Sequence, residues 1–215
     1  MKRDDAPHVI VTRFSVPRSD DCEHAGRHAD SDWLDRRIEL LRRFFVPSVA
    51  RLAVPVVLLS SSESAAAVSL ALNDLDWLNV EVQDDWRGGW TGRAGQTLTR
   101  MDSDDAIHEG WFAAVDAAPA GAEVCISHDF LRLDPERGRL CAYRRRVPCP
   151  LAAFRNGANP YLHDHADLEN HYRTHRLGRA YLLQVFHGGN VSTRRPSWYR
   201  RRLSLARLGP YGVSV

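Results

Sequence analysis

Three aspartates fall within four positions, Asp102, Asp104 and Asp105, in the string Thr99-Arg-Met-Asp-Ser-Asp-Asp-Ala-Ile107. Ionised carboxylates this close repel one another, so the cluster is costly unless a cation or a positive ligand group relieves it. Mg2+ or Mn2+ suits the task, because a hard cation takes carboxylate oxygens together with phosphate oxygens and water. The competing reading is a helix cap: Asp102 or Ser103 caps a helix over 106–118, with the remaining acids favouring its dipole. The two roles are compatible, and three acids exceed what a cap requires. An EF-hand loop is excluded, since the glycine at its sixth position and its distal glutamate are both missing.

Such a cluster becomes a site only where a fold presents it. His8-Val-Ile-Val-Thr-Arg-Phe14 is a β-branched run closed by Pro17, which predicts a first, buried strand. Residues 18–32 are polar and read as a surface loop. Asp30, Ser31 or Asp32 then caps a helix beginning near Trp33, where Leu34, Ile38, Leu41 and Phe45 recur at helical spacing, and Pro47 is expected to end it. Pro55 to Ser60 predicts a second strand, the alanine-rich 64–75 a helix, and Trp77 to Val82 a third strand. This β-α-β-α-β rhythm favours a parallel sheet with helices on its faces. After a loop over 84–95 that holds four glycines and two tryptophans, Gln96 to Met101 forms a brief strand. That strand delivers the aspartates to the carboxyl edge, where open α/β sheets bind their ligands.

The second half departs from the parallel pattern. A helix over 106–118 ends at Pro119 and Gly121, and residues 123–133 and 139–146 read as a hairpin around the five-residue turn Asp134-Pro-Glu-Arg-Gly138. A turn over Asn156 to Pro160, a short helix over 167–176 and a last apolar strand, Tyr181 to Phe186, complete the series. The expected class is α/β, with a mixed, mostly parallel sheet flanked by helices in one domain over residues 1–215, and a basic C-terminal tail from about residue 194.

Composition narrows the partners. Lys+Arg 29 against Asp+Glu 27 gives +2, too balanced for the field of a general nucleic-acid binder. Lys2 is the only lysine, a bias that fits a host of high genomic GC content. Cys22, Cys125, Cys141 and Cys149 form no CxxC pair, which argues against a zinc ribbon or a disulfide framework and for a reducing cytoplasm. No apolar run approaches the roughly 18 residues of a spanning helix.

The chain resembles the bacterial rhamnosyltransferases and, more broadly, the GT-A glycosyltransferases. The matching residues are Val11-Thr-Arg-Phe14, Trp33-Leu with Arg36 or Arg37, Pro47-Ser48, Thr99-Arg-Met-Asp-Ser-Asp-Asp-Ala106, Asn159-Pro160, and His187 with Asn190. The resemblance implies a GT-A fold in which Mn2+ or Mg2+ bridges the diphosphate of a nucleoside-diphosphate sugar. It implies Asp104 as a metal ligand, Asp102 near the metal or the ribose, Asp105 as support, and His187 as a second ligand; a histidine simply ending a strand is the plain alternative. Thr12, Arg13 and Arg100 stand at strand ends on the same edge, where they either clamp phosphate and ribose or pair with the aspartates. Residues 188–195, including Arg194, read as a basic lid over the diphosphate or as a solvated arginine run.

In an inverting transfer one carboxylate takes the proton of the acceptor hydroxyl. Asp164, Asp167 and Glu169 are the candidates, Asp164 first because it comes after the Asn159-Pro160 turn; for Asp167 and Glu169 the alternative is decoration of a helix. His171 and His175 stand four apart but lack the glutamate of a zincin helix, so surface histidines are expected. The expected activity is thus a metal-dependent hexosyl transfer, L-rhamnose being the sugar the resemblance implies, to a glycan or lipid-linked glycan acceptor in the cytoplasm or at the inner face of its membrane. A second enzyme class with the same carboxylate logic is a nucleotidyltransferase or phosphodiesterase. The non-enzyme alternative is a basic module binding nucleic acid or anionic lipid. It rests on Arg144-Arg-Arg146 and on Arg194, Arg195, Arg200, Arg201, Arg202 and Arg207, interleaved with Trp198, Tyr199, Leu203, Leu205 and Leu208. Of these surfaces lipid suits the transferase better, and nucleic acid is not expected.

Overall fold

The structure is a computed structural model, which describes residues 6–16, 30–87, 90–187 and 202–215. The basic lid over 188–195 with Arg194 and Asn190, Trp198 to Arg201 of the tail, Cys22 and most of the polar loop over 18–32 lie outside the described residues.

Two sheets share the chain. The first orders its seven strands β10-β6-β9-β4-β1-β2-β3. Its centre is β1 (His8–Arg13), hydrogen-bonded in parallel to β2 (Val56–Ser60) on one side and to β4 (Thr97–Asp102) on the other. β3 (Leu78–Val82) is the edge beyond β2. Past β4, the short β9 (Ala152–Phe154) runs antiparallel, and β6 (Val124–Ser127) and β10 (Thr174–Leu177) return to the common direction. The α/β class with a mixed, mostly parallel sheet flanked by helices is therefore as the sequence leads one to expect.

Central strands buried on both faces read as unbroken apolar runs. Ile10 faces one core with Leu58, Phe45, Met101 and Trp111, while Val9 and Val11 face the other with Leu59, Tyr161 and Leu168. Trp111 is fully buried, and its indole N–H donates to Thr99 Oγ1 at 3.0 Å, so its polar atom is satisfied within the core.

The first helix is longer than Pro47 suggests. α1 (Ser31–Leu40) is capped by Asp30, whose carboxylate accepts from Asp32 N at 3.0 Å, and continues through a π turn over Leu41–Phe45 into α2 (Val46–Ala50). Proline has no N–H to give. In the π turn the pairing slips by one, Val46 N–H bonding Leu41 O, so Pro47 falls where the register is already changing. α3 (Ala65–Ala71) covers the same sheet.

The greatest departure comes directly after the aspartates. Ala106–Ile107 is not helical but a short strand, β5, of the second sheet, whose order is β12-β8-β7-β11-β5. The helix begins only at Trp111 as α4 (Trp111–Asp116), with Gly110 at its N-cap. Residues 123–133 likewise split at His128 into β6 of the first sheet and β7 (Asp129–Asp134) of the second, and only β7 pairs with β8 (Arg139–Arg144) as a hairpin. The expected helix over 167–176 is a 3-10 turn (His165–Asp167) and one turn of α5 (Leu168–His171), with His175 already on β10. β11 (Leu182–Val185) pairs with both β7 and β5.

The end of the chain is docked rather than frayed. β12 (Arg202–Leu203) pairs with β8, and the 3-10 segment Leu205–Tyr211 turns Leu208 and Tyr211 into a core with Phe44, Leu133 and Leu183. Tyr211 Oη donates to Ala180 O at 2.7 Å. Leu208 thus serves the protein interior and not a lipid surface. Among the described residues no helix is long and apolar enough to cross a membrane.

Gly157 fixes the loop that leads to Asn159-Pro160. Its φ is +67°, its N–H bonds Gln96 O at 2.8 Å, and a Cβ there would stand 2.5 Å from Arg93 O. Both the backbone conformation and the contact exclude a larger residue. Gly157→Ala is expected to lower stability by roughly 1–3 kcal/mol in urea unfolding. An unchanged midpoint would show that this loop carries no such constraint.

Candidate active site

The register of β1 against β4 sets Arg13 beside Asp102 at the carboxyl edge. From there Asp102 to Asp105 form a tight turn, closed by Asp105 N–H to Asp102 O at 3.2 Å, which passes the chain from the first sheet to the second. A helix cap is thereby removed as the reason for these acids, because the next element in the chain is the strand β5.

Each carboxylate in the turn has a separate environment. Asp104 is buried, and its Oδ2 accepts from Arg37 Nη1 at 2.8 Å and lies 2.7 Å from His187 Nε2. Arg37 also donates to Ser103 Oγ at 2.7 Å. Burial pushes the Asp104 carboxyl up, but the Arg37 charge and the bonds from His187 and Arg37 outweigh it and hold the group well below the ordinary carboxylate range. Asp105, buried as well, accepts from Val185 N at 2.9 Å, while its other oxygen has no partner. Burial first, and then the charges of Asp104 and Asp102, raise it well above its usual value. Asp105 therefore ties the turn to β11, the strand that leads to His187. Asp102 reaches solvent; the protein packed around it and the Asp104 charge raise it.

Asp104 Oδ2 and His187 Nε2, 83 residues apart in sequence, are hydrogen-bonded to each other at 2.7 Å. Among the described residues no group of three or more acids, histidines or cysteines is placed to hold a metal. Asp102, in the same turn, faces the adjoining cleft.

That cleft is lined by Arg13, Arg100, Met101, Asp102, Pro150, Tyr161, Asp164 and His165. Arg13 lies 3.3 Å from the centre of the Trp86 ring and 4.1 Å from that of Tyr161, and donates to Trp86 O at 2.9 Å. It keeps a charge at the cleft wall while its planar face is held by aromatic stacking. Thr12 turns out to be a strut, and Arg100 braces a loop while lining the cleft. Thr12 Oγ1 donates to Met101 O at 2.8 Å across the buried strand pair. Arg100, buried and pushed down to about 10 chiefly by desolvation, donates to Pro160 O at 2.7 Å and His163 O at 2.8 Å. It holds the loop that places Asp164.

The three candidate bases separate clearly. Asp164 lines the cleft together with Asp102, and Asp167 is exposed on the 3-10 turn outside the cleft lining. Glu169 accepts from Arg176 Nε at 2.6 Å and lies 3.3 Å from His128 Nε2, so its carboxylate is committed to a structural cluster and is held low first by Arg176. Sequence reasoning leaves Arg37 as one of two helix arginines and does not single out Trp86, Tyr161 or His165. Arg37 stands four after Trp33 and beside the Leu34, Ile38 stripe, a spacing that places it on the inward face; Arg36 is exposed.

No family model and no curated protein matches the chain. Among solved structures, residues 1–349 of TarS from S. aureus superpose with a TM-score of 0.44 at 13% identity, over 84% of this chain and 60% of that one. The chain thus spans less than two thirds of that structure. The same TarS segment in complex with UDP gives 0.41 at 12% identity, over 83% of this chain and 60% of that one. The inositol-1-phosphate CTP transferase from T. maritima gives 0.43 at 10% identity, over 83% and 88%. Likenesses at these scores carry no argument about function, which falls to the site itself.

His165 at the cleft wall is pushed down to about 4, first by burial and then by the charges of Arg100 and Arg145. In the unfolded chain it titrates near 6.5, so between these values the unfolded state binds the extra proton and stability falls as pH falls. His165→Gln is expected to flatten the loss of thermal stability between about pH 6.5 and 4. Parallel curves for the variant and the parent would show that the imidazole is not desolvated.

Proposed function

We propose that the chain is a GT-A type glycosyltransferase that moves a sugar from a nucleoside-diphosphate donor to the hydroxyl of a glycan or lipid-linked glycan acceptor, with L-rhamnose the sugar implied by the sequence resemblance. The observation that carries this reading is that one cleft at the carboxyl edge is lined both by Asp102, from the aspartate turn, and by Asp164. The turn suits a diphosphate and Asp164 an acceptor proton.

Asp104 and His187 would hold Mn2+ or Mg2+, which supplies positive charge to the departing diphosphate. Arg13, fixed between two aromatic rings, adds a protein charge on the same wall. Arg37, bound to Asp104 and Ser103, keeps the aspartate ionised and aimed. Asp164 is exposed, accessible and hydrogen-bonded only through its backbone carbonyl to Asp167 N among the bonds described, so its carboxylate is available as a base. In an inverting transfer the acceptor O–H proton passes to Asp164 as the oxygen bonds the anomeric carbon. The glycosidic C–O bond to the diphosphate breaks, and its electron pair leaves on the diphosphate oxygen.

UDP and Mn2+ together are expected to raise the melting temperature by roughly 5 °C at a hundredfold excess over Kd, and neither alone to do so. Asp104→Ala abolishes the shift. Asp164→Asn keeps it while lowering sugar transfer about 10²–10⁴-fold. Nucleotide stabilisation that persists in EDTA and in Asp104→Ala would sink the proposal.

A further inference from the structure

Beside the cleft the β7–β8 hairpin ends in three consecutive arginines that neither the aspartate turn nor the cleft wall engages. Arg144, Arg145 and Arg146 are all exposed. Arg144 has Asp129 at 3.8 Å, but among the described residues neither Arg145 nor Arg146 has an acidic partner. In a chain of net charge +2 such a local excess of positive charge is not a property of the whole surface.

Their backbone is fixed although their side chains are free to reach outward. Arg145 N–H donates to His128 O at 3.0 Å, and His128 Nδ1 returns to Arg145 O at 3.2 Å. His128 is anchored in turn by Glu169, and Glu169 by Arg176. Cys149 N–H then bonds Ser127 O at 2.8 Å, which leads the chain straight to Pro150 of the cleft wall. Three residues lie between Arg146 and Pro150, so the four steps reach at most about 14 Å. The Arg145 charge is felt at His165, which lines the cleft next to Asp164. A basic rim, held at Arg145 by His128, therefore adjoins the cleft wall of Pro150, Asp164 and His165.

From this juxtaposition we infer that the acceptor carries a phosphate close to its reacting hydroxyl, and that Arg145 and Arg146 bind that phosphate while Asp164 faces the hydroxyl. The inference rests on the transferase reading. Exposed guanidinium groups without partners lose little on engaging a phosphate, and their planar donors suit its oxygens. Such binding is expected to weaken steeply with salt.

The test measures direct binding by the full chain at low salt, without donor chemistry. One arm uses glycerol 3-phosphate against glycerol, monitored by the arginine side-chain NMR signals. The other uses phosphatidylcholine vesicles with and without phosphatidylglycerol, monitored by sedimentation. The phosphate-bearing probe of at least one arm is expected to bind, with at least tenfold loss in Arg145→Glu/Arg146→Glu and recovery in Arg145→Lys/Arg146→Lys. Binding in the first arm identifies a water-soluble phosphorylated acceptor, and binding confined to the vesicles a lipid-borne one. No binding in either arm, or equal binding by the charge-reversed chain, overturns the inference. The UDP and Mn2+ thermal shift, run on the same charge-reversed protein, separates the two ideas. If the shift stands while phosphate binding fails, only the acceptor assignment falls. If the shift is absent from the parent as well, the transferase reading falls with it.

Discussion

Three carboxylates packed into one four-residue turn are the constraint around which this molecule is arranged. Two of them are buried, and like charges so close cannot coexist in a low-dielectric setting without compensation. The compensation comes from two distant parts of the chain: Arg37 on α1, and the end of β11, where the Val185 N–H and His187 lie two residues apart. The turn also passes the chain between the two sheets, so the same contacts that neutralise Asp104 and Asp105 dock one sheet on the other. A site and a structural joint coincide.

Around this joint the arginines divide their labour by burial. Arg100 is desolvated, and its Nη1 bonds the Pro160 and His163 carbonyls, fixing the loop of Asp164, while its buried Nη2 has no partner. Arg37 is bound by the turn itself. Arg13 is held flat between aromatic rings yet lies on the cleft wall, and Arg145 and Arg146 project outward from a pinned backbone.

The acids divide in the same manner. Glu169 is locked by Arg176 and His128, and Asp105 by the β11 backbone, which removes both from proton transfer. Asp164 stands at the end of a loop braced from below by Arg100 and, through Gly157, tied to the segment before β4. Those braces hold the loop from which Asp164 lines the cleft together with Asp102.

The sequence by itself determined the α/β class, the order and near extents of β1, β2, β3 and β4, and the arrival of the aspartates at a carboxyl edge. Those features come from local periodicity and from a chirality rule that needs no knowledge of distant contacts. That Asp104 and His187 share one site was implied only through a resemblance, and the structure shows them hydrogen-bonded to each other. Local pattern failed wherever long-range packing overrode it. Ala106–Ile107 has helical composition but is captured as a strand because β11 offers it a partner, and Pro47 sits within a helix because a π turn shifts the register there. Which arginine meets Asp104, which acid is free, and whether Thr12 and Arg100 point at a ligand or at a backbone carbonyl were decided by tertiary structure alone. Those outcomes depend on hydrogen bonds between groups tens of residues apart, and no spacing within a single element encodes them.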